Sequence, residues 1–134
     1  MNENRKTGVA YGLIIVVDYD VAVRKSLKFS LEVEGFIVRT YARGDELLNE
    51  TTLPACRCLV IDQRLPGISG IDLIEKLRNR EVSAPAVLIA THPSAALQAR
   101  AARAGISIVE KPLLGSNLLD SIRRITTHSE LLRH

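Results

Sequence analysis

Five short hydrophobic runs alternate along the chain with longer amphipathic stretches. The first run, Leu13–Val17, is continuous and rich in β-branched residues, which is typical of a strand buried on both faces of a sheet. Similar runs occupy 36–40, 58–62, 86–89 and 106–109. Between them, apolar residues recur at helical spacing, as Val23, Leu27 and Leu31 do. The alternation predicts an α/β domain with helices on both faces of a parallel sheet.

Capping and turn residues mark where the predicted elements begin and end. Asp20 precedes the first helical stretch, where its carboxylate can accept hydrogen bonds from the N–H groups of the first turn. Gly35 follows that stretch and Gly105 follows an alanine-rich one, and glycine is common where a helix ends. A short helix is predicted to begin at Gly44.

Length and cysteine content are those of an ordinary globular domain. A chain of 134 residues fits one domain, predicted over 11–127, with 1–10 as a flexible leader and 128–134 as a tail or the start of a linker. The two cysteines, Cys56 and Cys58, are too few for a disulfide framework and lack partner ligands for zinc. We therefore expect free thiols that are buried or half-buried.

Charge and hydropathy argue against several classes of function. The basic residues behind the net charge of +3 are scattered, and aromatic residues make up 4% with no tryptophan. Direct nucleic-acid binding is not expected, because it takes a basic face or a stacking platform. No apolar run approaches the ~20 residues of a membrane span, and the polar N-terminus does not resemble a signal segment. A cytoplasmic location without membrane contact is predicted.

Two carboxylates and one lysine are predicted to meet at one edge of the sheet. Asp18 closes the first strand, Asp62 closes the third, and Lys111 follows the fifth. Ligands of parallel α/β sheets bind at the carboxyl ends of the strands. Such a group suits phosphoryl transfer, since carboxylates can hold Mg²⁺, an aspartate can form an acyl phosphate, and an ammonium neutralises phosphoryl oxygens.

A family resemblance rests on four segments: Val16-Val17-Asp18, 23–27, 59–70 and Glu110-Lys111-Pro112. Over about residues 12–127 the chain resembles the receiver domain of two-component response regulators, and it is most similar to receivers that precede a LuxR-type helix-turn-helix. The resemblance implies a flavodoxin-like fold, a doubly wound five-stranded parallel sheet of order 2-1-3-4-5 with five helices.

The resemblance also implies a function for the predicted group. A histidine kinase would phosphorylate Asp62 with Mg²⁺ as cofactor, and Lys111 would contact the phosphoryl group. Asp18 and Asp62 would hold the metal together with the backbone of Arg64. Phosphorylation would switch the surface of the fourth helix, fifth strand and fifth helix, through which receivers commonly form homodimers or meet effectors, and transcription would be regulated through an attached or partner output domain.

The chain departs from the family pattern at the metal site. Receivers usually carry two adjacent acids after the first strand, and Tyr19 stands at the second position. Asp20 comes one place later, where a helix cap is the favoured interpretation. A neutral phenol is a poor Mg²⁺ ligand, so weak metal binding is predicted. We expect Tyr19 to cover part of the acidic site or to offer its hydroxyl to Asp62.

The chain also departs from the family pattern at the two switch positions. The hydroxyl residue that follows the fourth strand in receivers aligns with Ala90, and Thr91 lies one residue late. The aromatic residue of the fifth strand aligns with Ile108. These changes motivate an alternative, a pseudo-receiver that binds partners without phosphorylation.

An enzymatic alternative rests on the Asp-Tyr-Asp spacing. In a phosphatase of the haloacid-dehalogenase type, Asp18 would be the nucleophile and Asp20 the acid/base, but such enzymes need a further acidic pair beyond Lys111, and none is evident. A P-loop is excluded more firmly, because no glycine follows the first strand to let the backbone cradle phosphate.

Overall fold

The computed structural model describes residues 12–113 and 116–133, with side chains as far as Thr127. The strands are β1 (Leu13–Val17), β2 (Ile37–Tyr41), β3 (Cys58–Asp62), β4 (Ala86–Ala90) and β5 (Ser107–Glu110). The helices are α1 (Val21–Val33), α2 (Gly44–Leu48), α3 (Gly70–Asn79), α4 (Ala95–Arg103) and α5 (Asn117–Arg133).

The five strands form one parallel sheet in the order β2-β1-β3-β4-β5. The predicted flavodoxin-like topology is therefore confirmed. The chain moves from β1 outward to β2 and then returns to place β3 on the other side of β1. Such a reversal of strand order opens a crevice at the carboxyl ends of the strands, here between β1 and β3.

The core lies on both faces of the sheet, because successive residues of a strand point to opposite faces. In β1, Ile15 and Val17 join the layer that packs against α2, α3 and α4, whereas Ile14 and Val16 join the layer that packs against α1 and α5. All residues of β3 and β4 are buried. This double burial explains why the strands are continuous hydrophobic runs rather than alternating ones.

The local signals behave as predicted. The side chain of Asp20 caps α1, accepting hydrogen bonds from the N–H groups of Ala22 and Val23 at 2.8 and 3.3 Å. Gly35 and Gly105 have φ values of +99° and +69°, in the left-handed region that favours glycine. Both helix ends therefore lie where the sequence places them.

Some boundaries differ from the prediction. β2 and β5 each lie one residue later than predicted, and β4 extends to Ala90. The stretch after Thr127, predicted as a tail or linker, continues α5 as far as Arg133, because neither glycine nor proline interrupts the sequence from Asn117 onward. The predicted leader, 1–10, lies outside the described residues. None of the described helices is both long and apolar enough to cross a membrane.

The two cysteines are free, as predicted, with Cys56 half-buried and Cys58 buried. Burial raises the pKa of the Cys56 thiol to about 11 and that of Cys58 to about 12. Neither thiol has the low pKa of a reactive cysteine.

Candidate functional site

Asp62 ends β3 at the carboxyl edge of the sheet and is 6% exposed. Its Oδ1 accepts a hydrogen bond from the backbone N–H of Arg64 at 3.1 Å. Its Oδ2 accepts one from Lys111 Nζ at 2.8 Å. The carboxylate is thus held by one neutral donor and one cation.

Lys111 brings a cation between the two carboxylates. Its backbone N–H donates to the carbonyl of Ala90 at 2.9 Å, which anchors the segment that follows β5 to the end of β4. Its Nζ lies 2.8 Å from Asp62 Oδ2 and 3.9 Å from Asp18 Oδ2. Burial opposes the charge, but the hydrogen bond and the charge of Asp62 outweigh it and raise the pKa of Lys111.

Asp18 follows β1 and is 1% exposed. Its Oδ1 accepts a hydrogen bond from the N–H of Asp20 at 2.9 Å, whereas its Oδ2 is buried and has no hydrogen-bond partner among the described residues. Burial is the main cause that raises the pKa of Asp18 to about 6, opposed by the Asp20 hydrogen bond and reinforced by the charge of Asp62. A buried oxygen without a partner is costly, so this atom is suited to accept a cation.

These residues fit a small hard cation such as Mg²⁺. The candidate ligand atoms are oxygens, and one carboxylate oxygen has no hydrogen-bond partner in the part of the chain that the structure describes. Mg²⁺ is commonly bound by one or two carboxylates plus water. No group of three acidic, histidine or cysteine side chains that could hold a metal occurs within the described residues. Asp18 and Asp62 are the two candidate side chains, and the backbone contribution of Arg64 stays a prediction.

Neither Tyr19 nor Asp20 forms a described hydrogen bond with Asp62. The Tyr19 side chain is 61% exposed, and neither Asp62 oxygen receives its hydroxyl, since Arg64 and Lys111 supply the described hydrogen bonds. The prediction of a Tyr19 hydroxyl bound to Asp62 is therefore wrong, whereas partial cover of the acidic site by the Tyr19 ring stays a prediction. Asp20 is engaged as the helix cap, as predicted.

The loop after β3 explains why the segment 59–70 is so distinctive. The Gln63 side chain accepts a hydrogen bond from the N–H of Ile71 at 2.9 Å, and the Gln63 carbonyl accepts one from Gly70 at 3.0 Å. A Cβ on Gly70 would lie 2.4 Å from the carbonyl oxygen of Asp62, a distance that only glycine avoids. Gln63 and Gly70 thereby fix the backbone behind Asp62, a role that sequence reasoning missed.

The two switch positions, Ala90 and Ile108, carry apolar side chains. Ala90 ends β4 and is 3% exposed, and Thr91 after it is exposed. Ile108 is half-buried and packs against the hydrophobic layer on the α2–α4 face. The hydroxyl and the aromatic ring of the family pattern are therefore replaced by small and aliphatic side chains.

Arg24 is a further residue near the site to which the sequence analysis gave no role. Its Nη1 donates to the carbonyl of Asp18 at 2.7 Å and to that of Tyr19 at 3.0 Å. Its place in the segment 23–27, one of those carrying the family resemblance, is the signal that could have drawn attention to it.

Curated proteins similar to this chain are transcriptional regulators. The chain is 32% identical over 117 residues to the C4-dicarboxylate transport transcriptional regulatory protein DctR of Rhodobacter capsulatus, covering 84% of this chain and 59% of that one. It is 30% identical over 114 residues to the transcriptional regulatory protein FixJ of Rhizobium meliloti, covering 84% and 56%. The chain thus spans a little over half the length of these relatives.

Solved structures agree with this similarity. Full-length FixJ from B. japonicum superimposes with a TM-score of 0.79 at 30% identity, over 89% of this chain and 59% of that one. The CheY-like receiver domain from Methanospirillum hungatei gives 0.80 at 26% identity, over 88% and 95%. The family described as "Response regulator receiver domain" matches residues 14–123. With the β2-β1-β3-β4-β5 sheet and the acidic site at its carboxyl edge, the chain belongs to the response regulator receiver family.

Proposed function

We propose that this domain accepts a phosphoryl group on Asp62 from a histidine kinase. The observation that carries the proposal is the arrangement of three charged groups at one strand edge. Lys111 Nζ lies 2.8 Å from Asp62 Oδ2, and the buried Asp18 Oδ2 beside it has no described partner. A carboxylate that could act as a nucleophile, a cation and a carboxylate oxygen that could hold a metal therefore support the proposal.

In the proposed reaction, a carboxylate oxygen of Asp62 attacks the phosphorus of a phosphohistidine. An O–P bond forms, the P–N bond breaks, and the imidazole leaves with the electron pair. The Lys111 ammonium neutralises a phosphoryl oxygen, and the Arg64 N–H keeps the carboxylate oriented. Receiver domains bind Mg²⁺, which when present would be held by Asp18 and Asp62 and would neutralise charge on the transferred group.

We propose that Mg²⁺ binds more weakly here than in receivers with two adjacent acids. Tyr19 occupies the position of the second acid and is exposed, and the carboxylate of Asp20 is engaged by the N–H groups of Ala22 and Val23. Two carboxylates therefore remain where the family pattern supplies three.

The proposed readout is a change at the surface formed by α4, β5 and α5, with a homodimer or an effector as partner. The similar DctR and FixJ are transcriptional regulators, and this chain spans a little over half of each. We therefore propose that an attached or partner output domain, of LuxR type by resemblance, regulates transcription. The receiver itself is not proposed to contact nucleic acid.

A second candidate, a pseudo-receiver that binds partners without phosphorylation, is favoured by the switch positions. Ala90 has no hydroxyl to meet a phosphoryl group, and Ile108 has no ring to reorient. A phosphatase of the haloacid-dehalogenase type is disfavoured, because the Asp20 carboxylate that would act as acid/base is engaged as the α1 cap.

The deciding experiment is the intact mass after incubation with acetyl phosphate, with and without Mg²⁺. We expect the wild type to gain one phosphoryl group in the presence of Mg²⁺ and Asp62→Asn to gain none. Asp120→Asn is the matched control. Asp120 is an acid on α5, and its carboxylate accepts a hydrogen bond from the Ser116 hydroxyl at 2.9 Å rather than from a residue of the site. If the wild type forms no adduct and does not bind beryllofluoride, the pseudo-receiver is the correct assignment.

A further inference from the structure

We infer that Arg24 is a positioning residue that fixes the loop between β1 and α1 so that Asp18 keeps one oxygen open for a cation. The inference rests on the proposed function and deepens it. Arg24 Nη1 bridges two consecutive carbonyls, 2.7 Å from that of Asp18 and 3.0 Å from that of Tyr19.

Arg24 differs from the other basic residues of α1. Its side chain is half-buried and points back over the start of the helix, whereas Lys25 and Lys28 are exposed. Lys28 forms an ordinary i,i+4 ion pair with Glu32 at 2.6 Å. Arg24 instead donates to the carbonyl oxygens of Asp18 and Tyr19, which precede the helix. Its side chain is therefore held against the loop rather than surrounded by solvent.

The loop is tied at both ends through these contacts. The N–H of Asp18 donates to the carbonyl of Tyr41 on β2 at 3.1 Å, which fixes the loop to the sheet. The N–H of Arg24 donates to the carbonyl of Asp20 at 3.0 Å, and its guanidinium holds the two carbonyls before that one. Arg24 therefore donates hydrogen bonds to three consecutive carbonyls, one from its backbone N–H and two from its side chain.

This anchoring matters because the Asp18 carboxylate is held in an energetically unfavourable orientation, in which one buried oxygen has no hydrogen-bond partner among the described residues. Its Oδ1 is bound by the N–H of Asp20, and its buried Oδ2 lies 3.9 Å from Lys111 Nζ, beyond hydrogen-bond distance. If the loop relaxed, the carboxylate could turn to Lys111 and the open position would close. Holding the two carbonyls resists that movement, as outer contacts do for metal ligands in general.

The test compares Arg24→Met, which removes the donors but keeps the aliphatic stem, with Lys25→Met, which removes a solvated charge from the next residue. The Mg²⁺ dissociation constant is measured by calorimetric titration. Amide hydrogen exchange at Asp20 is measured in the metal-free protein. We expect Arg24→Met to weaken Mg²⁺ binding by about tenfold, the scale for lost outer support of a metal ligand, and to speed exchange at Asp20.

Lys25→Met should leave both quantities unchanged, since it alters charge but not the loop. If Arg24→Met does not fold, Arg24→Lys replaces it and should show a smaller weakening together with faster exchange at Asp20. Wild-type Mg²⁺ affinity and wild-type exchange in a folded Arg24 variant would overturn the inference. Equal weakening by Lys25→Met would also overturn it, because the effect would then come from charge alone.

Failure of the proposed function gives a different result. In that case the wild type gains no phosphoryl group from acetyl phosphate at any Mg²⁺ concentration, and this result does not depend on the outcome for the Arg24 variants. Adduct formation on wild-type Asp62 combined with unchanged Mg²⁺ binding in the Arg24 variants would reject the positioning role and leave the proposed function intact.

Discussion

The carboxyl edge of the sheet has two halves with different chemistry. The acceptor half, Asp18, Asp62 and Lys111, is a set of charged groups at the ends of β1, β3 and β5. The switch half, Ala90 and Ile108, lies on β4 and β5 and carries no polar side-chain atom. Both halves belong to one sheet, yet only the first keeps charged groups of the family pattern, and even there Tyr19 replaces an acid.

The difference follows from how each half is stabilised. In the acceptor half, two nearly buried carboxylates depend on one lysine, so losing Lys111 would leave both negative charges without compensation. In the switch half, Ala90 and Ile108 fill apolar space, and replacing a hydroxyl or a ring there leaves no buried polar group unsatisfied. The charged groups at the ends of β1, β3 and β5 can therefore be retained while the two switch positions change.

The largest effect is expected from Lys111→Met, which removes the cation of the acceptor half. Phosphorylation by acetyl phosphate should slow by about 10²-fold or more, the scale for losing one preorganised donor to developing charge. Initial rates of mass gain at saturating Mg²⁺ measure it, with Lys25→Met as the control for charge. A rate within a factor of about two of wild type would mean that Lys111 is a structural partner of Asp62 only.

Asp18→Asn should stabilise the metal-free protein near neutral pH while weakening Mg²⁺ binding. The pKa of Asp18 is raised from 3.8 to about 6, so the folded state binds its proton more tightly than the unfolded state. Ionised Asp18 therefore opposes folding above pH 6. Removing that charge should contribute about 1–3 kcal/mol to the free energy of unfolding.

The gain from Asp18→Asn should shrink as the pH falls from about 6 toward 4, because Asp18 itself then becomes protonated in the folded protein. Urea unfolding of wild type and variant across this range, without metal, checks the prediction. A gain that stays constant with pH would show that the charge of Asp18 is not its source.

Tyr19→Asp should increase the difference between the two halves, because it restores the missing acid of the acceptor half. A third carboxylate next to Asp18 is expected to tighten Mg²⁺ binding by about tenfold, or about 1.4 kcal/mol. Calorimetric titration measures the change, and Tyr19→Asn serves as the uncharged control. Equal affinity in wild type and Tyr19→Asp would mean that water or Asp20 already serves at this position.

The smallest effect is expected for the response of the wild-type dimer to beryllofluoride, because the switch half lacks the hydroxyl and the aromatic ring of the family pattern. Beryllofluoride should change the dimer dissociation constant by less than about fivefold, below the usual range of coupling between two sites. Ala90→Thr should increase that change by restoring a hydroxyl, and Ala90→Val controls for side-chain size. Sedimentation equilibrium with and without beryllofluoride provides the measurement. A strong wild-type response would show that the switch half works without the family's two groups.

Much of the fold could be predicted because its signals are local. Leu13–Val17 is recognisable as a buried strand from its continuous β-branched run, and Asp20 as a cap from its place before a helical stretch. The acceptor half was also predictable, since strand-end residues of a parallel sheet share one edge. Misplaced boundaries, such as the end of α5 at Arg133, arose where no residue type marks a stop.

Tertiary structure alone decided what each site residue contacts. The sequence determined an α/β domain with Asp18, Asp62 and Lys111 at one edge, because strand periodicity and strand ends are encoded over a few neighbouring residues, and its resemblance to a family implied the receiver fold. It did not determine that a buried oxygen of Asp18 has no hydrogen-bond partner among the described residues, that Arg24 holds the loop carbonyls, or that the Tyr19 side chain is largely exposed. Those features depend on distances between side chains and backbone groups on separate elements, which become defined only when the sheet and its helices pack together.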